Sequence, residues 1–112
     1  MKIKRRQHNG VTIVDLSGRI TLGERGALLR TTIGEILEEG HKKILLNLGE
    51  VTYIDSAGLG ELVTAFTSVR KLGGELKLLN LTQKVNNLLQ ITKLYTVFDV
   101  KDNESAAVAA FN

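Results

Sequence analysis

Residues 2–8 and 11–17 form two strand-like runs separated by Asn9-Gly10. Asn-Gly supplies the two positive-φ residues that a two-residue hairpin needs, so an antiparallel hairpin is predicted. In its second strand Val11, Ile13 and Asp15 point one way and Thr12, Val14 and Leu16 the other. Lys2, Lys4 and Arg6 share a face of the first strand. They form either a solvated face that blunts a sheet edge or an electrostatic docking patch. Ser17-Gly18 closes the second strand.

From about Thr21 to Glu39 the period changes. Leu22, Leu29, Ile33, Ile36 and Leu37 recur at spacings of three and four, with one turn skipped at Gly26, which predicts an amphipathic helix stopped by Gly40. Residues 44–48, Ile-Leu-Leu-Asn-Leu, read as a strand covered on both faces, as in a parallel sheet. Gly49 to Asp55 reads as a loop. A second helix is expected from Ser56 to about Leu72, with Leu59, Leu62, Val63, Phe66 and Val69 inward and Gly73-Gly74 ending it. Then follow a strand over 76–79, a helix over 83–90 with Val85, Leu88 and Leu89 inward, a strand over 97–100, and a helix over 104–111 with Ala107, Ala110 and Phe111 inward. Helices alternating with apolar strands imply right-handed crossovers. The expected fold class is α/β, one domain over 1–112, with a mixed β-sheet (an N-terminal antiparallel hairpin, then parallel strands) and about four helices.

Composition narrows the function classes. With 112 residues the chain buries roughly two thirds of its extended surface on folding, enough for a core without staples. It has no cysteine, which excludes disulfides, thiolate metal sites and a cysteine nucleophile, and is compatible with a cytoplasmic setting. Two histidines, His8 and His41, are too few for a histidine-rich metal cage, so no metal or cofactor site is expected. Net charge is +3 and aromatic residues are 4%, which argues against direct nucleic-acid binding. No run approaches the ~20 apolar residues of a membrane span, and the basic start lacks the apolar stretch of a secretory leader.

Residues 51–60, Val-Thr-Tyr-Ile-Asp-Ser-Ala-Gly-Leu-Gly, break the local rules. Gly58 and Gly60 fall in a helix start, at up to about 1 kcal/mol each relative to alanine. Such glycines mean either tight packing of helix on sheet or close approach of a partner. Asp55-Ser56 reads as an N-cap, or as a phosphoacceptor serine with small neighbours that admit a kinase. A phosphate on Ser56 would add about −1.5 to −2 charges at a helix N-terminus, whose N–H groups can hold it.

This segment resembles the signature of STAS domains, and within them that of bacterial anti-sigma factor antagonists: an aspartate, the phosphorylated serine, a small residue, then Gly-Leu-Gly. Here it reads Asp55, Ser56, Ala57, Gly58, Leu59, Gly60. The likeness continues through residues 16–20, 45–48 with 51–54, and 72–78, in the family's order. It implies partner switching. The unphosphorylated chain binds an anti-sigma factor that is a serine kinase, freeing the sigma factor. Phosphorylation of Ser56 reverses binding, and a serine phosphatase resets the switch. The ATP and Mg²⁺ belong to the kinase. The implied partner-binding residues are Thr21, Asp55, Ser56, Ala57, Gly58, Leu59 and Gly60, with Leu59 expected to be partly buried.

Three positions depart from the family. Thr21 and Asn47 stand where many members carry acids, lowering negative charge near the site, and Ala57 replaces a frequent second serine. Other readings stay open. A STAS scaffold or lipid-transport subunit would have no phospho-switch. Nucleophilic catalysis lacks its parts: Ile54 stands where a nucleophile elbow needs glycine, and His41 precedes the strand whose far end carries Ser56.

Overall fold

The computed structural model describes residues 1–21 and 24–111, without the side chains of 24–27. Strand β1 (Lys2–His8) and strand β2 (Val11–Ile20) form the predicted hairpin, in register from Lys2↔Ser17 to His8↔Val11. Asn9 (φ 50°) and Gly10 (φ 81°) both adopt the left-handed region its turn demands.

Helix α1 (Glu24–Glu38) buries Leu29, Ile33 and Ile36, with Leu37 half-buried. Leu22, expected on the same face, lies outside the described residues, as does the side-chain region around Gly26. Strand β3 (Lys43–Ile54) leads into helix α2 (Ser56–Lys71) and strand β4 (Glu75–Leu79). Both helices end in the same way. Gly40 and Gly73 carry positive φ, and paired bonds (His41 N to Ile36 O and Gly40 N to Leu37 O; Gly74 N to Val69 O and Gly73 N to Arg70 O) satisfy the last carbonyls. Helix α3 (Gln83–Thr92), strand β5 (Asp99–Lys101) and helix α4 (Glu104–Ala109) complete the chain. A short 3₁₀ turn over Leu94–Thr96 displaces the last strand from the expected 97–100, and Phe98 rather than Val97 or Val100 is buried.

The sheet order is β1-β2-β3-β4-β5, antiparallel at β1–β2 and parallel elsewhere. Leu29, Ile33 and Ile36 of α1, Leu59, Leu62 and Val69 of α2, and Val85 and Leu89 of α3 pack on one face of the sheet. The other face carries Val11, Ile13, Leu45 and Leu79 against Ala107 and Val108 of α4. Val108, not Ala110, is the second inward residue of that helix; Ala110 is half-buried.

The stretch from Gly49 to Ile54 is strand, not loop. It continues β3 beside Ser17–Ile20 of β2, which itself runs three residues beyond the expected stop. Two register shifts lie there. Asp15 and Ser17 face Asn47 and Glu50, and Gly18 and Arg19 face Val51 and Tyr53. Each shift gives β3 one extra residue, a β-bulge. That is why Leu48, Val51 and Ile54, three apart, all enter the same core. The bulges hide the period of two from a reading of the sequence.

The basic face of β1 is divided. Arg6 is tied to Asp15 (2.6 Å) and Glu104 (2.8 Å), and His8 Nδ1 lies 3.2 Å from Glu104. The hydrogen bond from Arg6 holds the Asp15 carboxyl below the usual range, helped by one from Asn47, against the opposing effect of burial. Lys2 and Lys4 stay exposed on this edge strand.

Candidate functional site

Ser56 is the first residue of α2, at the end where β2 and β3 terminate. Asp55 is extended (φ −111°, ψ −178°), and its Oδ1 accepts the Gly58 N–H at 2.7 Å. Asp55 therefore caps the helix, while Ser56 is exposed and its hydroxyl holds no partner among the described residues. The N–H groups of Ser56 and Ala57 lie in the first turn and have no intrahelical acceptor. Together with the helix dipole they favour negative charge at this helix end.

Gly58 is buried. A Cβ built there would lie 1.9 Å from the Ile20 carbonyl oxygen and 2.7 Å from its carbon. Only glycine lets the first turn of α2 rest on the end of β2, so the clearance at Gly58 serves helix–strand packing within the chain. Gly60 differs: it is exposed, and a Cβ there would meet nothing within 4 Å. Leu59, named among the partner-contacting residues and expected to be partly buried, is 3% exposed and lies in the core. Its side chain supports the site from beneath and offers no surface. Ala57 is half-buried, and half-buried Thr21 follows Ile20 directly.

Asn47 does not sit beside Ser56. It lies in the middle of β3, donates to Asp15 Oδ1 at 2.8 Å and accepts from the Gly49 N–H at 3.2 Å, clamping the first bulge. An open groove of about 620 Å³ lies on that part of the sheet, lined by Lys4, Asp15 and Asn47 among others. His41 precedes β3, a full strand length from Ser56, and His8 is engaged on β1. Among the described residues no three metal-ligating side chains cluster, and no helix is long and apolar enough to cross a membrane.

Two groups escaped the sequence reading. Glu61 is buried on α2 with Arg30 Nε of α1 at 2.9 Å; a charge in the middle of an apolar helix face was its signal. Arg19, Tyr53 and Lys84 also meet near this end. Arg19 Cζ lies 4.6 Å and Lys84 Nζ 5.5 Å from the centre of the Tyr53 ring. No pattern in the chain announces that contact, because the bulges set the register that creates it.

Comparison with known proteins bears on the family and the fold. The model of the STAS domain matches residues 2–107. An anti-sigma-B factor antagonist of Bacillus subtilis is 34% identical over 95 residues, 85% of each chain. An anti-sigma F factor antagonist of Paenibacillus polymyxa is 28% identical over 109 residues, 96% of this chain and 92% of that one. The crystal structure of the Thermotoga maritima protein TM1081 superposes with a TM-score of 0.88 at 26% identity, covering 97% of this chain and 93% of that one.

Proposed function

This chain belongs to the STAS domain family, and on that premise we propose that it is an anti-sigma factor antagonist working by partner switching in the cytoplasm. Unphosphorylated, it binds an anti-sigma factor that is also a serine kinase, and the sigma factor is released. The kinase transfers the γ-phosphoryl group of its own ATP to Ser56 Oγ; ADP leaves and the hydroxyl proton is lost. A serine phosphatase hydrolyses the phosphoserine and restores the first state. The chain is the substrate in both steps and supplies no catalytic group.

The observation that carries the reading is the exposed Ser56 hydroxyl at the N-terminus of α2, without a partner among the described residues, next to an Asp55 whose Oδ1 caps the helix. Phosphate there gains the helix end but adds about −1.5 to −2 charges to a surface that docks without them. Moving a population from 1:99 to 99:1 needs about 5.5 kcal/mol of differential affinity. A desolvated phosphate in an interface can supply much of that. Thr21, Asp55, Ala57 and Gly60 form the rim around Ser56 in this proposal, with Gly58 and Leu59 holding the rim in place.

The test is incubation with serine-kinase anti-sigma factors from the same genome and Mg-ATP, followed by phosphate mapping by mass spectrometry. Stoichiometric modification of Ser56 that dissociates the complex is expected. A complex that forms and persists with Ser56 unmodified would instead indicate a scaffold without a switch.

A further inference from the structure

Arg19 on β2, Tyr53 opposite it on β3 and Lys84 in the first turn of α3 bring three elements to one point. Arg19 and Lys84 are exposed and Tyr53 is half-buried. Both cations contact the same ring, so their charges are no further apart than the sum of their distances to its centre. Arg5, Arg6, Arg30 and Lys77 each hold a carboxylate at 2.6–2.9 Å. Arg19 and Lys84 hold none among the described residues.

The surroundings leave the pair open. The pairing of β4 stops at Asn47↔Leu79, so β3 from Gly49 onward is joined to β2 alone. The nearby Asp55 accepts the Gly58 N–H on Oδ1 and forms no ion pair with either cation among the described residues. Cation–π contact restrains two long side chains before anything binds, which lowers the entropy cost of recognition. The point lies three residues before Ser56, and Ile20, next to Arg19, carries the carbonyl that Gly58 rests on.

We infer that Arg19 and Lys84, steadied by Tyr53, form a carboxylate-receiving surface onto which an acidic segment of the partner protein docks beside Ser56. The identity of the partner rests on the partner-switching reading; the surface itself does not. It sets the approach of the partner and selects against partners that are basic at that point.

The test uses the ¹⁵N-labelled full chain titrated with an octaglutamate peptide at low salt. Amide shifts are expected at 18–21, 53–56 and 82–86. Affinity is expected to fall about tenfold in Arg19→Glu/Lys84→Glu. Lys2→Glu/Lys4→Glu, with the same change of charge, should keep wild-type affinity. Tyr53→Leu keeps both charges and should cost about threefold. Spectral dispersion checks the fold of each variant, and Lys84→Glu alone, on an exposed helix position, keeps the test alive if the pair variant unfolds. Shifts centred on Lys2 and Lys4, equal losses in both pair variants, or inorganic phosphate moving the same amides at concentrations at or below those of the peptide would each overturn the inference. No kinase is present, so these outcomes are read independently of whether Ser56 is ever phosphorylated.

Discussion

Gly58 and Gly60 sit two residues apart on one helix, and their replacement by alanine should change stability in opposite directions. At 58 the added methyl would lie 1.9 Å from the Ile20 carbonyl oxygen, where ordinary contact begins at about 3.3 Å. The neighbour is backbone in a paired strand, so the first turn of α2 must retreat by about 1.4 Å. Leu59 and Leu62 on the same helix are core residues and move with it. Overpacking on this scale costs up to about 3 kcal/mol, offset by about 1 kcal/mol of helix propensity gained on losing glycine. Gly58→Ala is therefore expected to lose about 2 kcal/mol. Gly60→Ala keeps the propensity gain with no clash and should gain about 0.5–1 kcal/mol. Urea titration followed by circular dichroism measures both, and thermal midpoints should move by about 4 °C per kcal/mol for a chain of this length. A Gly58→Ala variant as stable as the parent would refute the close contact between α2 and β2.

Other outcomes follow from the same geometry. Leu59→Ala should destabilise by roughly 2–5 kcal/mol in the same titration, because it empties core volume; a loss of partner affinity at unchanged stability would contradict its burial. Asp55→Ala should cost about 1 kcal/mol as a lost cap, and Asp55→Asn much less; equal losses would deny the capping bond. Ser56→Ala should hold the kinase constitutively and Ser56→Asp should bind it poorly, by calorimetric titration; matching affinities would remove the phospho-switch. Asp15 and Glu104 are held below their usual values of 3.8 and 4.5, chiefly by hydrogen bonds from Arg6, so each stabilises the fold above its usual value. That contribution should disappear as pH falls through the lower folded values, and Asp15→Asn should flatten the acid limb of a stability–pH curve. An unchanged acid limb would show that the network is not coupled to folding.

Much of this arrangement was legible before any coordinates. The hairpin, the apolar run of β3 and the helix faces of α1 to α3 are local patterns, and local physics produced them. The reading failed where a local rule is broken by a partner elsewhere in the chain. Val51 and Ile54 looked like loop because bulges against β2 replace alternation by a spacing of three. At Gly58 packing and partner approach could not be told apart, because the Ile20 carbonyl that needs the space is far away in sequence. Asn47 looked like a missing charge near Ser56, although its amide holds a bulge on the opposite side of the sheet from α2. At the site, exposure of Ser56 and capping by Asp55 could be anticipated from residue types; the cations around Tyr53 could not, since they depend on cross-strand register.

The double bulge gives the segment before Ser56 a property that its composition does not express. With inward positions at 48, 51 and 54, the strand keeps its face for one segment length alone. A residue lost or gained between Leu48 and Ile54 would turn the later positions of the strand to the opposite face and shift the start of α2, which carries Ser56. Substitutions in this stretch change what the surface says; insertions and deletions change which way it faces. The count of residues there is thus inherited information in its own right, and divergence within this segment should proceed by exchange of letters at constant length.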